Sequence, residues 1–181
     1  MIPKRNTRRR LREIIKTSKR FRFPVFCGTE NNTKRVEPLV NKFILDPEFL
    51  PVFRQGAYLI LGHQFLSKYG GKGYVNRKGR LTFENREAGT KLFSFAGRIT
   101  WSDDALKWLS SIGKRNVYRI VCGLGNILDK NEKTQYFVKP SFRIPRSLLD
   151  EIEIKNSDVV FTDMKTLVTF EKIVRKHIVP M

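Results

Sequence analysis

The chain has 181 residues, with 36 Lys and Arg against 17 Asp and Glu for a formal net charge of +19, and it is 40% hydrophobic with 14 Phe. That apolar content suffices for one packed core and excludes wholesale disorder, while no apolar run approaches the ~18–20 residues that cross a bilayer. Cys27 and Cys122 stand far apart without a CxxC, which excludes a disulfide framework. This favours a reduced compartment over secretion: cytoplasm, an organelle matrix such as the mitochondrion's, or a virion interior.

The charge is concentrated towards the N-terminus. Residues 1–128 hold 26 Lys/Arg and 9 Asp/Glu, a net of +17, whereas residues 129–181 hold 10 and 8, a net of +2. A polyanion that neutralises this protein meets the first two-thirds, and the remainder reads as scaffold.

Residues 1–22 form a basic arm: Lys4, Arg5, Arg8, Arg9, Arg10, Arg12, Lys16, Lys19, Arg20 and Arg22 face one acid, Glu13. Leu11, Ile14, Ile15 and Ser18 fall at helical spacing, which predicts a helix over 7–20 with a narrow apolar stripe that orders on docking and adds little core. Its functional readings are a nucleic-acid-binding arm, preferred here, a mitochondrial presequence, a membrane-surface helix, or a solvated charged tail. The membrane reading is weakened because no Trp or Phe occurs before Phe21 and Phe23.

Phe23–Phe26 reads as a short edge strand, because Pro24 cannot donate to an interior ladder. A polar loop follows at 29–35. Glu37-Pro38 opens a helix carrying Leu39, Val40, Phe43 and Ile44, which Asp46-Pro47 ends. Tyr58, Leu61, Phe65 and Tyr69 predict a second helix over 52–69, terminated by Gly70-Gly71, although the Tyr58–Leu61 run equally suits a short strand. The segment after it, Ser67–Arg80, reads SKYGGKGYVNRKGR, and no acid occurs between Glu48 and Glu84. Lys68, Lys72, Arg77, Lys78 and Arg80 on a Gly-rich frame suit phosphates, with Tyr69 or Tyr74 to stack on a base. The stretch lacks the Gly-Lys-Ser/Thr ending of a Walker A loop.

Leu92–Trp101 alternates and predicts a strand. Ser102-Asp103-Asp104 then caps a helix that stops at Gly113, which makes the paired aspartates caps rather than a metal site. Val117–Leu124 predicts a strand with Arg119 on its outer face, followed by a turn at 129–133. Tyr136–Ile144 predicts another strand, with Phe137, Lys139, Ser141 and Arg143 outward; together with Arg119 it offers a cationic sheet face. Pro145 introduces a helix with Leu148, Leu149 and Ile152. Val159–Phe161 and Leu167–Phe170 suit a hairpin, but the favoured reading is a strand at Val159–Phe161 and a last helix from Leu167 to His177. The expected fold is α+β: one compact domain over 23–181 with a mixed or antiparallel sheet packed by helices, the basic Gly/Tyr loop at 67–80, and the arm at 1–22. An α/β unit around 92–124 is the variant.

The catalytic arrangements are incomplete. His63 and His177 have no partner at metal-ligand spacing. Gly123-Leu124-Gly125 has Leu128 where a dinucleotide loop needs its third glycine, so it reads as a strand end and turn. Glu153-Ile154-Lys155 and Asp163-Met164-Lys165, with Asp150 or Asp129, resemble a Mg²⁺-dependent nuclease pair. They sit in the least basic third, and acid-x-Lys is common in so charged a chain. Gly113-Lys114-Arg115, Tyr118, Ile120 and Leu124-Gly125, after the Ser-Asp helix, resemble a short stretch of rhabdovirus matrix proteins. The preceding residues do not follow that family's pattern and its proline-rich late motif is absent, so the family is not assigned.

The sequence therefore predicts a non-catalytic nucleic-acid-binding structural component of a ribonucleoprotein assembly, of ribosomal or viral coat/nucleocapsid type, with no cofactor or metal. RNA is favoured over DNA because no helix-turn-helix, zinc finger or basic zipper is recognisable. Arg8, Arg9, Arg10, Arg12, Lys16, Lys19 and Arg20 are one expected contact; Lys68, Lys72, Tyr74, Arg77, Lys78 and Arg80 are the other. Other proteins of the assembly are further expected partners. The alternatives are a matrix-like protein bridging anionic membrane and nucleoprotein, and the nuclease.

Overall fold

The computed structural model describes residues 7–21, 23–27, 45–128, 133–155 and 158–181. The loop expected at 29–35, the helix expected at 37–44 and nearly all of the turn expected at 129–133 lie outside them. Helix α1 spans Arg8–Phe21, as the spacing of Leu11 and Ile15 predicts. Both leucine and isoleucine pack with Phe49 and Phe53 in a small cluster of their own, and Leu11 is wholly buried. The arm is therefore a docked helix with more core than its stripe suggested.

Residues 23–27 form no strand. They cross helix α2 (Leu50–Tyr69) at Gly56, where a Cβ would sit 1.9 Å from the Val25 carbonyl oxygen. A helix surface offers no ladder, so the extended stretch stays single. At the far end of α2, the Gly70 and Lys72 N–H groups both donate to Leu66 O, and Gly71 takes φ 72° in the left-handed region.

The strand expected at 92–101 is mostly helix: α3 covers Arg86–Ala96, and only Ile99–Trp101 is extended, as β1. Asn85 caps α3, its side-chain oxygen accepting from the Glu87 and Ala88 N–H groups. Phe93, Ser94, Phe95 and Ala96 are all buried because α3 closes on α2 backbone to backbone. A Cβ on Gly62 would lie 1.8 Å from Phe93 O, and one on Gly97 would lie 1.9 Å from Tyr58 O. Burial around the whole last turn removes the polar side that reveals a helical period.

Helix α4, Asp103–Ser111, forms as predicted, with Asp103 and Asp104 in its first turn; Ser102 holds the cap position, but its hydroxyl makes no capping bond. Gly113, at φ 88°, turns the chain into α5, Lys114–Ile127. This helix replaces the strand expected at 117–124. It packs against α2, α3 and the later elements α6 (Arg146–Asp150), β3 (Ile152–Lys155), β4 (Asp158–Phe161) and α7 (Met164–His177). Val117, Tyr118, Ile120, Val121, Cys122 and Leu124 are buried on several of its sides. Gly123 fits the ring of Phe170, which a Cβ would approach to 2.9 Å, so the glycine pair belongs to helix packing and not to a turn.

Of the strand expected at 136–144, only Tyr136–Val138 is a ladder, as β2. Phe142 and Ile144 still point inward, but the chain turns first, with the Phe142 N–H donating to Lys139 O. Strand β2 lies between β1, parallel, with Ile99 opposite Tyr136, and β5 (Ile178–Pro180), antiparallel, with Val138 opposite Ile178. Strands β3 and β4 form a separate antiparallel hairpin. Helix α6 follows Pro145, and α7 runs into β5 without a loop. The fold is mixed α and β, a short mixed sheet packed by helices, in agreement with the sequence.

Candidate nucleic-acid interface

Docking through Leu11 and Ile15 decides where the cations of α1 go. Arg12 lies against Glu48 at 2.5 and 2.9 Å, and Arg8 reaches Glu48 at 3.2 Å and Asp46 at 3.1 Å. The Arg12 guanidinium holds the Glu48 carboxyl below its usual range, Arg8 adding to the effect; Glu48 in return raises Arg12. Arg9 pairs loosely with Glu13 at 3.9 Å. Arg10, Lys16, Lys19 and Arg20 are exposed and have no acidic partner among the described residues. Two of the seven cations assigned to phosphate are thus committed to acids of the same chain.

The loop after α2 is an ordered hairpin. The Asn76 side chain accepts from the Lys78 and Arg80 N–H groups, the Asn76 N–H donates to Arg80 O, and Val75 bridges Leu81. At its base, the Thr82 hydroxyl donates to Gly73 O. This frame leaves Lys72, Arg77, Lys78 and Arg80 exposed, with Lys68 beside them at the end of α2. Gly71 lies against the Lys114 side chain, and Lys72 Nζ stands 5.8 Å from the Tyr118 ring centroid. The loop therefore meets the start of α5, where Lys114 and Arg115 are exposed and sequence reading had assigned neither to a site.

That placement is informative. The first turn of α5 has no acid and no side-chain cap, and its two cations oppose the positive end of the helix dipole. Lys68, Lys72, Arg77, Lys78, Arg80, Lys114 and Arg115 have no acidic partner among the described residues. The result is a cationic surface assembled from a helix end, a hairpin and a helix start.

The tyrosines do not serve it as expected. The Tyr74 N–H donates to His63 Nδ1 at 2.9 Å, its hydroxyl bonds Thr90 Oγ1 at 3.1 Å, and its ring packs edge-on to Phe93. Tyr69 lies against Phe65 with Lys68 over its ring. Both rings are half-buried and packed against the body on at least one side. The signal missing from the sequence for Tyr74 was its partners, His63, Thr90 and Phe93, which come from other elements.

Both basic segments are fastened to α3. An Arg86 Nη donates to Phe21 O at 3.0 Å, and the Tyr74 hydroxyl meets Thr90, one turn further on. Nothing in the sequence marked Arg86 for this role.

The remaining candidates dissolve into structure. Arg119 sits on α5, its side chain 11% exposed, bonded to Asn116 and 3.8 Å from Asp150, so it is not on a sheet face. Lys139 donates to Lys176 O, and Arg143 stands 5.6 Å from the Trp108 ring centroid, both beyond the end of β2. Asp163 caps α7, accepting from the Thr166 N–H at 2.7 Å; that bond lowers its pKa. Glu153 lies on β3 opposite Val160, and among the described residues no cluster of three His, Cys, Asp or Glu is placed to hold a metal. Burial, and then Lys176 and Lys139, lower the pKa of His177, which contacts the Ser141 hydroxyl. Burial also raises the thiol of Cys27, which disfavours its reactive thiolate. No helix among the described residues is long and apolar enough to cross a membrane.

Compared with known proteins, the chain matches no family model, no curated protein and no solved structure.

Proposed function

We propose that this protein is a non-catalytic, nucleic-acid-binding structural component of a ribonucleoprotein assembly, of ribosomal or coat type, with RNA as its preferred partner. One observation carries the reading: the exposed Lys68, Lys72, Arg77, Lys78 and Arg80 belong to a helix end and hairpin whose base, at Gly71, lies against Lys114 at the start of α5, and neither they nor exposed Lys114 and Arg115 have an acidic partner among the described residues. Held together, such charges repel one another, and two of them oppose a helix dipole. A phosphate backbone relieves both costs. Exposed Arg10, Lys16, Lys19 and Arg20 on α1 add a second set of cations, and both basic segments are tethered to α3. Asp163, the acid on which a nuclease reading leans, is already engaged as a cap.

The test is affinity for a folded or single-stranded RNA as a function of salt. If about six phosphates are neutralised, binding falls roughly a thousandfold between about 50 and 200 mM salt. Lys72→Ala with Lys114→Ala should flatten that dependence by about two contacts. Binding that ignores salt, or a protein that refuses RNA at low salt while co-sedimenting with anionic vesicles, refutes the proposal.

A further inference from the structure

Outside the cationic surface, the most conspicuous unexplained feature is a pair of aromatic rings left in solvent. Phe21 is 53% exposed and Phe23 is 59% exposed. Their centroids are 6.4 Å apart and their planes 30° from parallel. The rings are held there by the backbone on either side. The Phe23 N–H donates to Ser18 O at 2.9 Å, the Ser18 hydroxyl donates to Phe23 O, and an Arg86 Nη donates to Phe21 O. Each ring also carries a guanidinium: Arg20 Cζ is 5.6 Å from the Phe21 centroid, and Arg86 Cζ is 5.2 Å from that of Phe23. Beside Phe23 a cleft of about 220 Å³ opens between α1, α2 and α3, with Lys19, Gln55, Arg86 and Glu87 on its walls.

We infer that Phe21 and Phe23 are a stacking platform for unpaired nucleobases, with Lys19, Arg20 and Arg86 holding the adjoining phosphates. The inference rests on the proposed function and makes it specific to single-stranded segments. Three features select this occupant. Exposed rings set side by side on a hydrogen-bonded backbone offer faces to bases, and any base presents such a face. Cations at the rings match the alternation of base and phosphate along a strand. A paired duplex keeps its base faces covered and offers the platform nothing.

The experiment compares an oligouridine carrying one 2-aminopurine with a duplex of equal length, on the full chain and on Phe21→Ala/Phe23→Ala. Loss of stacking should weaken single-strand binding by about five- to 150-fold per ring and abolish the fluorescence quenching of the 2-aminopurine. Duplex binding and the salt dependence should stay unchanged. Both rings are exposed, so the variant should keep its wild-type circular dichroism. Equal losses for single strand and duplex, or no loss for either, overturn the platform and leave the cationic surface standing. If the variant loses only binding to phosphatidylcholine–phosphatidylserine vesicles, the rings are a membrane contact and the inference is overturned. A wild-type chain that binds neither nucleic acid overturns the proposed function together with the platform.

Discussion

Leu11→Ala probes how firmly α1 is seated. Leu11 is 0% exposed and packs in a cluster with Ile15, Phe49 and Phe53, to which no residue of α5 belongs. Buried Leu→Ala changes cost about 2–5 kcal/mol, with the smaller values where the site collapses around the lost atoms. Among the described residues this cluster has four buried members, Leu11, Ile15, Phe49 and Phe53, so the lower range applies, about 2–3 kcal/mol. At about 1.4 kcal/mol per tenfold, α1 should open roughly 30 to 150 times more often. Hydrogen exchange read by mass spectrometry separates local from global loss. Amides of α1 should exchange faster by that factor, while amides of α5, shielded by the main core, keep their protection. Equal acceleration in α5 would mean that the two clusters unfold as one, and unchanged exchange in α1 would mean that Leu11 does not hold it. Either result refutes the reasoning.

Gly62→Ala should be among the most damaging single changes. Its Cβ would meet the Phe93 backbone at 1.8 Å, where no side chain can yield, so a loss of about 3 kcal/mol or more is expected in urea unfolding. The pH dependence of stability follows from three lowered pKa values. A group whose pKa is lower in the folded state stabilises the fold above its ordinary pKa, and that contribution is lost as pH falls through the folded value. Melting temperature should therefore decline first as pH drops below 6.5, through His177, and again below 4.5 and 3.8, through Glu48 and Asp163. His177→Gln should remove the first step and leave the second; a curve that rises on acidification contradicts the assignment.

The legible parts of this chain were those with one wet side. Helices α1 and α4 show their period because polar residues separate the apolar ones, α2 shows it in the spacing of Tyr58, Leu61, Phe65 and Tyr69, and the breaks at Gly70-Gly71 and Gly113 follow from backbone conformation. Helices α3 and α5 read as strands because their apolar residues also alternate, Phe93 and Phe95 in one and Tyr118, Ile120, Cys122 and Leu124 in the other. With Phe93 to Ala96 all buried, and Val117 to Leu124 buried apart from Arg119, the polar residues within these stretches are too few to mark the helical turn. Strands β1, β2 and β5 have three residues each, too few for alternation to register; their pairing is a tertiary fact. At the interface, the charges were legible and their neighbours were not. Glu48 taking Arg12, Thr90 taking Tyr74, and Gly71 lying against Lys114 join residues 36, 16 and 43 positions apart. The exposed phenylalanines enter the sequence reading as a weak membrane signal and, for Phe23, as part of an edge strand, since nothing in a one-dimensional pattern distinguishes a ring in water from a ring in the core.

Where Gly62 and Gly97 let α2 and α3 meet main chain to main chain, there is no side-chain cushion to absorb a shift. Arg86 and Thr90 ride on that stiff joint, so the spacing between the two fastened segments is inherited from the rigid interior and not from the loops themselves. A strand gripping both would find its contacts already at a set distance, like teeth cut on one bar. Loosening the joint should blunt recognition of long strands before it affects short ones.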